Sequence, residues 1–300
     1  MSKERITIVS SSNAAFAPHV SALFVSILEN CENKQATFDF YVIDDNIDYK
    51  SKQLMLDTLA DYEATLHFLN INKKYFKNVV ESDRIPQTAY FRIAIPELFR
   101  GKKVDKLLYL DCDMIAVNDI CELWEMDLGN YTLAAVEDAG FHNRLELMGI
   151  ETDSKLYFNS GLMLINVKKW LDENITTRVL DFIKNNPEKL KFHDQDALNA
   201  ILHDEWLPLH PQWNAQSYIM KKEVEHPDPA GEKAYEETRK APSIIHYSGH
   251  VKPWSDEFKA PIKGYYLKYA KKTAFSRVPI YKQRKTVTYV STPHYGKVVR

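Results

Sequence analysis

The chain has 300 residues, 45% of them hydrophobic, enough for one large α/β unit with a sizeable core. Its 39 basic and 41 acidic residues leave a formal charge of −2, so no global field draws it to nucleic acid. No apolar run reaches the roughly 18 residues of a membrane span.

Met1-Ser2-Lys3-Glu4-Arg5 leads directly into a strand without a signal-peptide pattern, so a cytoplasmic location is expected. The three cysteines, Cys31, Cys112 and Cys121, have no CxxC spacing and read as reduced thiols. Only nine glycines occur, with no GxGxxG or GxxxxGK. A phosphate bound here would not lie in a glycine cradle, so a metal would have to carry much of its charge.

Residues 5–10 alternate as a first strand. Pro18 opens a helix to residue 30, with Val20, Leu23, Phe24, Ile27 and Leu28 at helical spacing. Residues 37–44 form a second strand, 50–62 a helix and 64–71 a third strand. This β-α-β-α-β order predicts a parallel sheet with right-handed crossovers. Residues 87–99 read as another helix.

The apolar run 107–110 follows, a strand to be covered on both faces. It ends in Asp111 and Asp113, one residue apart. Ligands collect beyond the carboxyl ends of strands in open α/β sheets. Two carboxylates so close repel unless a cation lies between them, and oxygen ligands suit Mg²⁺ or Mn²⁺ bridging to phosphate. An exposed turn is the plainer reading of an isolated Asp-x-Asp.

Further on come a strand at 132–136, a loop with Glu137, Asp138 and His142, and Asn159-Ser160-Gly161 leading into a strand at 162–167. A helix starts at Lys168, and His193-Asp194-Gln195-Asp196 precedes an apolar helical run. A last strand, 243–247, leads into His246-Tyr247-Ser248-Gly249-His250-Val251-Lys252-Pro253-Trp254. Taken singly, Asn159-Ser160-Gly161 could be a turn, Asp194 a helix N-cap, and His246 a core histidine. Residues 258–300 contain no Asp or Glu but eleven Lys or Arg and several tyrosines, and the shift marks a boundary near residue 257.

Together, Tyr109-Leu110-Asp111-Cys112-Asp113, Tyr157-Phe158-Asn159-Ser160-Gly161, His193-Asp194-Gln195-Asp196 and the 246–254 segment resemble the retaining glycosyltransferases of family 8. The resemblance spans roughly residues 5–255 and is greatest to the bacterial general stress protein A group. It implies a GT-A type, Rossmann-like fold with a mostly parallel central sheet over residues 1–257, and a basic, aromatic segment over 258–300. It also implies Mn²⁺ or Mg²⁺, a UDP-sugar donor carrying glucose or galactose, and a sugar, glycolipid or glycan acceptor. By that resemblance Asp111, Asp113 and His246 would bind the metal, with Cys112 between the carboxylates. Gly249 and Lys252 would meet the diphosphate and Arg92 would help hold the donor. Asp138, Asn159, Asp194 and Gln195 would surround the reacting sugar, Gln195 nearest the anomeric carbon. Basic C-terminal segments in related proteins imply an anionic surface at the inner face of the membrane as a partner.

At the first strand the family usually has Ser-Asp-Asp-Asn-Tyr-Ala, whereas Ser12, Asn13, Ala14, Ala15, Phe16 and Ala17 stand here. Ser12, Asn13 and Ala15 are the expected nucleoside contacts, and their change leaves open a non-catalytic nucleotide-sugar binder. A haloacid-dehalogenase-type phosphatase is a weaker rival. Its Asp-x-Asp lies at the first strand with Thr or Val two residues on, where Ile115 stands here, and no Gly-Asp pair supplies its later motif.

Overall fold

The computed structural model describes residues 5–33, 35–71 and 87–277. Ten strands are β1 (Arg5–Ser12), β2 (Thr37–Asp44), β3 (Ala64–Leu69), β4 (Lys106–Leu110), β5 (Met114–Ala116), β6 (Leu133–Glu137), β7 (Phe158–Asn166), β8 (Trp206–Leu209), β9 (Ala215–Gln216) and β10 (Ile244–His246). Seven of them form a mostly parallel sheet in the order β3-β2-β1-β4-β7-β6-β8, in which β7 alone runs against its neighbours. The other three form a small sheet, β5-β10-β9.

Ten α-helical segments accompany them: α1 (Ala17–Asn30), α2 (Tyr49–Leu59), α3 (Cys121–Glu125), α4 (Arg144–Leu147), α5 (Val167–Asp172), α6 (Ile175–Asn185), α7 (His193–Leu202), α8 (Ser217–Met220), α9 (Pro229–Lys240) and α10 (Lys263–Ala270). Alternation along the strands supplies both faces of the large sheet. Ile6, Ile8, Phe40, Leu108 and Leu110 pack with α1 and α2, while Val9, Leu107, Tyr109 and Met163 pack with α5, α6 and α7. The near-continuous apolar runs of β1 and β4 therefore follow from burial on both sides.

The helix expected over 87–99 is corrected: 3-10 turns, Gln87–Ala94 and Pro96–Phe99, replace it. Pro96 has no N–H to donate and its ring crowds the carbonyl a turn before it, so an α-helical ladder cannot run through. Asn159, Ser160 and Gly161 lie inside β7 rather than in a turn before it. Opposite them the pairing with β6 slips between Ala134 and Val136. Such an irregularity re-aims side chains, and here it sits at the carboxyl end of β4.

Helix α1 is covered twice. One face packs on the large sheet; Ala22 and Val25 on the other meet Ile115, Ile245, Tyr247, Phe258, Ile262, Tyr266 and Tyr269. Residues 258–277 thus dock on the core, fastened by His19 Nδ1 to Tyr266 Oη (2.8 Å) and Asn30 Nδ2 to Tyr269 Oη (2.7 Å). The remaining basic residues of the expected C-terminal segment, 278–300, lie outside the described residues. Among the described residues no helix is long and apolar enough to cross a membrane.

Candidate active site

β1 and β4 are parallel neighbours, so their carboxyl ends open on one edge of the sheet. Asp111 and Asp113 follow β4 there, and the small sheet brings His246 beside them because Met114 pairs with His246. The ligand atoms of Asp111, Asp113 and His246 lie within 4.8 Å of one another. They border a cavity of about 420 Å³ that also receives Arg92, Asp138, Asn159, Asp194, Gln195, Gly249 and Lys252. Of the fourteen residue positions expected from the sequence, ten, drawn from between Arg92 and Lys252, meet here; Cys112 packs toward the large sheet's core, and Ser12, Asn13 and Ala15 do not line the cavity.

One wall of the cavity is held by charges. Arg92 donates to the Ser160 carbonyl at 2.8 Å and pairs with Asp111 Oδ1 at 3.1 Å. Its guanidinium lies 5.0 Å from the Tyr109 ring centre, and Tyr109 Oη donates to Asp111 at 2.6 Å. Arg92 Nε is also 3.0 Å from Asp194 Oδ2, an ion pair whose angle does not make a hydrogen bond. Across the cavity Lys252 Nζ donates to Asp113 and to the Tyr247 carbonyl. Burial resists ionisation of Asp113, but the Lys252 ammonium outweighs it and holds its carboxyl far below the usual range. Burial likewise works against the charge on Lys252, and Asp113 overcomes it, so the ammonium is kept.

The other wall is held by amides. The Gly161 N–H donates to Asn159 Oδ1, which fixes that atom as oxygen and leaves Asn159 Nδ2 to donate to Asp138 at 2.8 Å. Asn214 Nδ2 donates to the same oxygen at 2.9 Å, so its own Oδ1 must face His246 Nδ1, also at 2.9 Å. An amide oxygen only accepts, so the His246 proton resides on Nδ1. Its Nε2 lone pair then points toward Asp113 Oδ1 across 3.4 Å. Two acceptors facing each other this way suit a cation between them, and a partner fixing Nδ1–H is the usual second layer of a metal-bound histidine.

The Cβ of any other residue at Gly161 would lie 2.6 Å from His246 and 3.0 Å from Asp111, so the close approach demands glycine. Two carboxylates and one imidazole in this cradle fit a divalent cation. Gly249 has φ +102°, a conformation that favours glycine, and brings backbone to the cavity edge.

Gln195 is tied at both ends: its oxygen accepts from Ser160 N at 3.0 Å and its nitrogen donates to Asp138 at 3.0 Å. Both Asp194 and Gln195 occupy the first turn of α7, whose cap position is Phe192. Capping-type bonds fall to Asp196, which accepts from Lys191 N and Phe192 N and is gripped by Arg144. Burial pushes Asp194 up to about 6, against the pull of Arg92.

The first-strand residues stand apart from this cavity's lining. Ser12 Oγ donates to the Asn13 carbonyl, and Asn13 Oδ1 accepts from Ala15 N (2.9 Å) and Phe16 N (3.2 Å). That turn braces the entry to α1, and Ala15 is exposed beside it. Sequence reasoning missed Asn214 and Ser160. The available signal for Asn214 was Trp213-Asn214-Ala215-Gln216, where amides alternate with apolar residues after a proline.

The glycosyl transferase family 8 model matches residues 7–257. General stress protein A of Bacillus subtilis (strain 168) is 41% identical over 281 residues, 93% of this chain and 98% of that protein. A lipopolysaccharide 1,2-glucosyltransferase of Escherichia coli is 31% identical, across 77% of this chain and 68% of the relative. The crystal structure of the galactosyltransferase LgtC with donor and acceptor sugar analogues superposes with a TM-score of 0.79 at 23% identity, covering 89% of this chain and 96% of that one. That likeness places the chain in the GT-A fold.

Proposed function

The chain belongs to glycosyl transferase family 8, and from that premise we propose that it is a metal-dependent, retaining hexosyltransferase taking glucose or galactose from a UDP-sugar. The observation that carries this reading is the His246 tautomer set by Asn214, which aims a lone pair at Asp113 beside Asp111. Asp111, Asp113 and His246 would hold Mn²⁺ or Mg²⁺, which when bound supplies charge neutralisation for the diphosphate. Lys252 keeps its proton and adds a fixed positive charge where the leaving diphosphate gains negative charge. Gly249 lets backbone approach the same group. Asp138 and Asn159 present polar atoms to sugar hydroxyls, and Gln195, tethered at both ends, offers a rigid contact at the reacting carbon. Retention of configuration is carried over from the family.

Relatives named for lipopolysaccharide glucosyl transfer support a glycan or glycolipid acceptor. Lys221, Lys222, Arg239, Lys240 and Lys268 line a groove of about 960 Å³ beside α10, which supports an anionic membrane surface as partner for the C-terminal segment. Binding to anionic vesicles that salt weakens is expected, and equal pelleting with neutral vesicles would remove this part.

The turn at Asn13 favours one rival, a nucleotide-sugar binder without turnover, because the amide oxygen expected at the nucleoside is already engaged. Release of UDP from UDP-glucose or UDP-galactose in the presence of Mn²⁺ separates the two. Turnover that Asp113→Asn lowers by about 10²-fold or more supports the enzyme. UDP binding with no sugar release from either donor would favour the rival.

A further inference from the structure

One residue before Asp138, strand β6 ends in Glu137, whose carboxylate points away into a second cluster. Glu137 Oε1 is 2.7 Å from His142 Nδ1, and Oε2 is 3.2 Å from His226 Nε2. The three ligand atoms lie within 4.8 Å of one another, and the two imidazoles meet at 4.6 Å between ring centres. We propose that Glu137, His142 and His226 form a second metal site that takes a borderline dication such as Zn²⁺. Two imidazoles and one carboxylate with an open position are a zinc donor set, softer than the oxygen-rich set at Asp111 and Asp113.

Three observations point to a ligand here. The His226 ring is prepared on its far side, where Nδ1 is 3.0 Å from Asp228 N and 3.1 Å from Asp228 O. It accepts from the N–H when Nε2 carries the proton, and it can donate to the carbonyl when Nε2 holds a metal, so either state is satisfied. Gly231 makes room for that ring: a Cβ there would lie 2.1 Å from Nδ1. A glycine inside α9 costs about 1 kcal/mol relative to alanine. Third, Tyr235 is 2% exposed, its ring stacks edge-on to His226 at 5.2 Å, and its hydroxyl lacks a partner. A water on the open position would give that hydroxyl a partner.

Bound metal would tie the end of β6 to the segment before α9. The Glu137 carbonyl already accepts from Gln216 Nε2, and Gln216 Oε1 accepts from Ala139 N, so the clamp would act on the loop carrying Asp138. Nothing in this inference depends on sugar transfer.

The test titrates Zn²⁺ against the full chain carrying Asp113→Asn, which disables the other candidate metal site. One Zn²⁺ per chain is expected, with affinity at least tenfold weaker in His142→Gln and in His226→Gln, and about tenfold weaker in Tyr235→Phe. Co²⁺ bound to the otherwise unaltered chain should show ligand-field bands without a thiolate charge-transfer band, which keeps the test alive if a histidine variant fails to fold. Absence of Zn²⁺ binding overturns the proposal. So does binding that both histidine variants leave unchanged, or a thiolate band, which would move the ion to Cys31 and Cys121, whose sulfurs are 4.0 Å apart.

Discussion

Asp113 and Asp194 are both buried carboxylates in one cavity, each beside a cation, yet they are driven in opposite directions. Asp113 has Lys252 within hydrogen-bond reach, and that charge overcomes burial. Asp194 shares Arg92 with Asp111, whose own charge repels it, so burial prevails and it rises to about 6. The pair teaches that a cation nearby does not decide ionisation; how many carboxylates divide it does. Asp113 is thereby kept as a ready anion for a metal, and Asp194 as a group that can carry a proton near neutral pH.

The largest effect should come from the amide wall. Gln195→Ala would remove the contact proposed at the reacting sugar and should cut transfer about 10²-fold or more. Because Gln195 is not the cap of α7, the melting temperature should stay within a few degrees. A collapse of stability with normal specific activity would return it to a structural role.

Asp194→Asn sharpens the contrast through pH. The folded state raises this carboxyl from its ordinary 3.8 to about 6, so between those values the native state binds more protons than the unfolded chain. Its contribution to stability is therefore greatest below pH 4 and is lost as pH rises toward 6. Wild type minus variant stability should fall across that window by on the order of 2 kcal/mol, since each unit is worth about 1.4 kcal/mol. Denaturant melts at pH 4, 5, 6 and 7 measure it; a flat difference would mean Arg92 holds Asp194 ionised throughout.

Asn214→Ala is the subtler probe. It leaves every proposed metal ligand in place but frees the His246 tautomer, and should weaken Mn²⁺ binding about tenfold. Unchanged affinity would show that the lone pair is aimed by something other than Asn214.

The sheet's first half was legible because its strands are apolar runs ending in polar residues, as at Leu110-Asp111. The edge strand β8 and the small sheet's β5 and β9 were harder: they are too short to carry a period, and β9 has only two residues. The acidic and basic site residues could be found because carboxylates at strand ends are conspicuous. Asn214 was not, since it sits in a 3-10 turn and acts only through Asn159 and His246. In His193-Asp194-Gln195-Asp196, spacing alone could not separate a cap from a contact; the three-dimensional arrangement gives the capping bonds to Asp196. The oxygen of Asn13 accepts twice from the turn into α1, a use that no sequence pattern distinguishes from a nucleoside contact.

The proposed cation site at Asp111, Asp113 and His246 would serve a nucleoside diphosphate. Calorimetric titration of UDP into the wild-type chain, with and without Mn²⁺, tests it most directly. The account predicts that Mn²⁺ tightens UDP at least tenfold, about 1.4 kcal/mol or more, and that Asp113→Asn abolishes the gain while leaving any metal-free binding. UDP affinity indifferent to Mn²⁺ in the wild type, or a Mn²⁺ gain that survives Asp113→Asn, would contradict it.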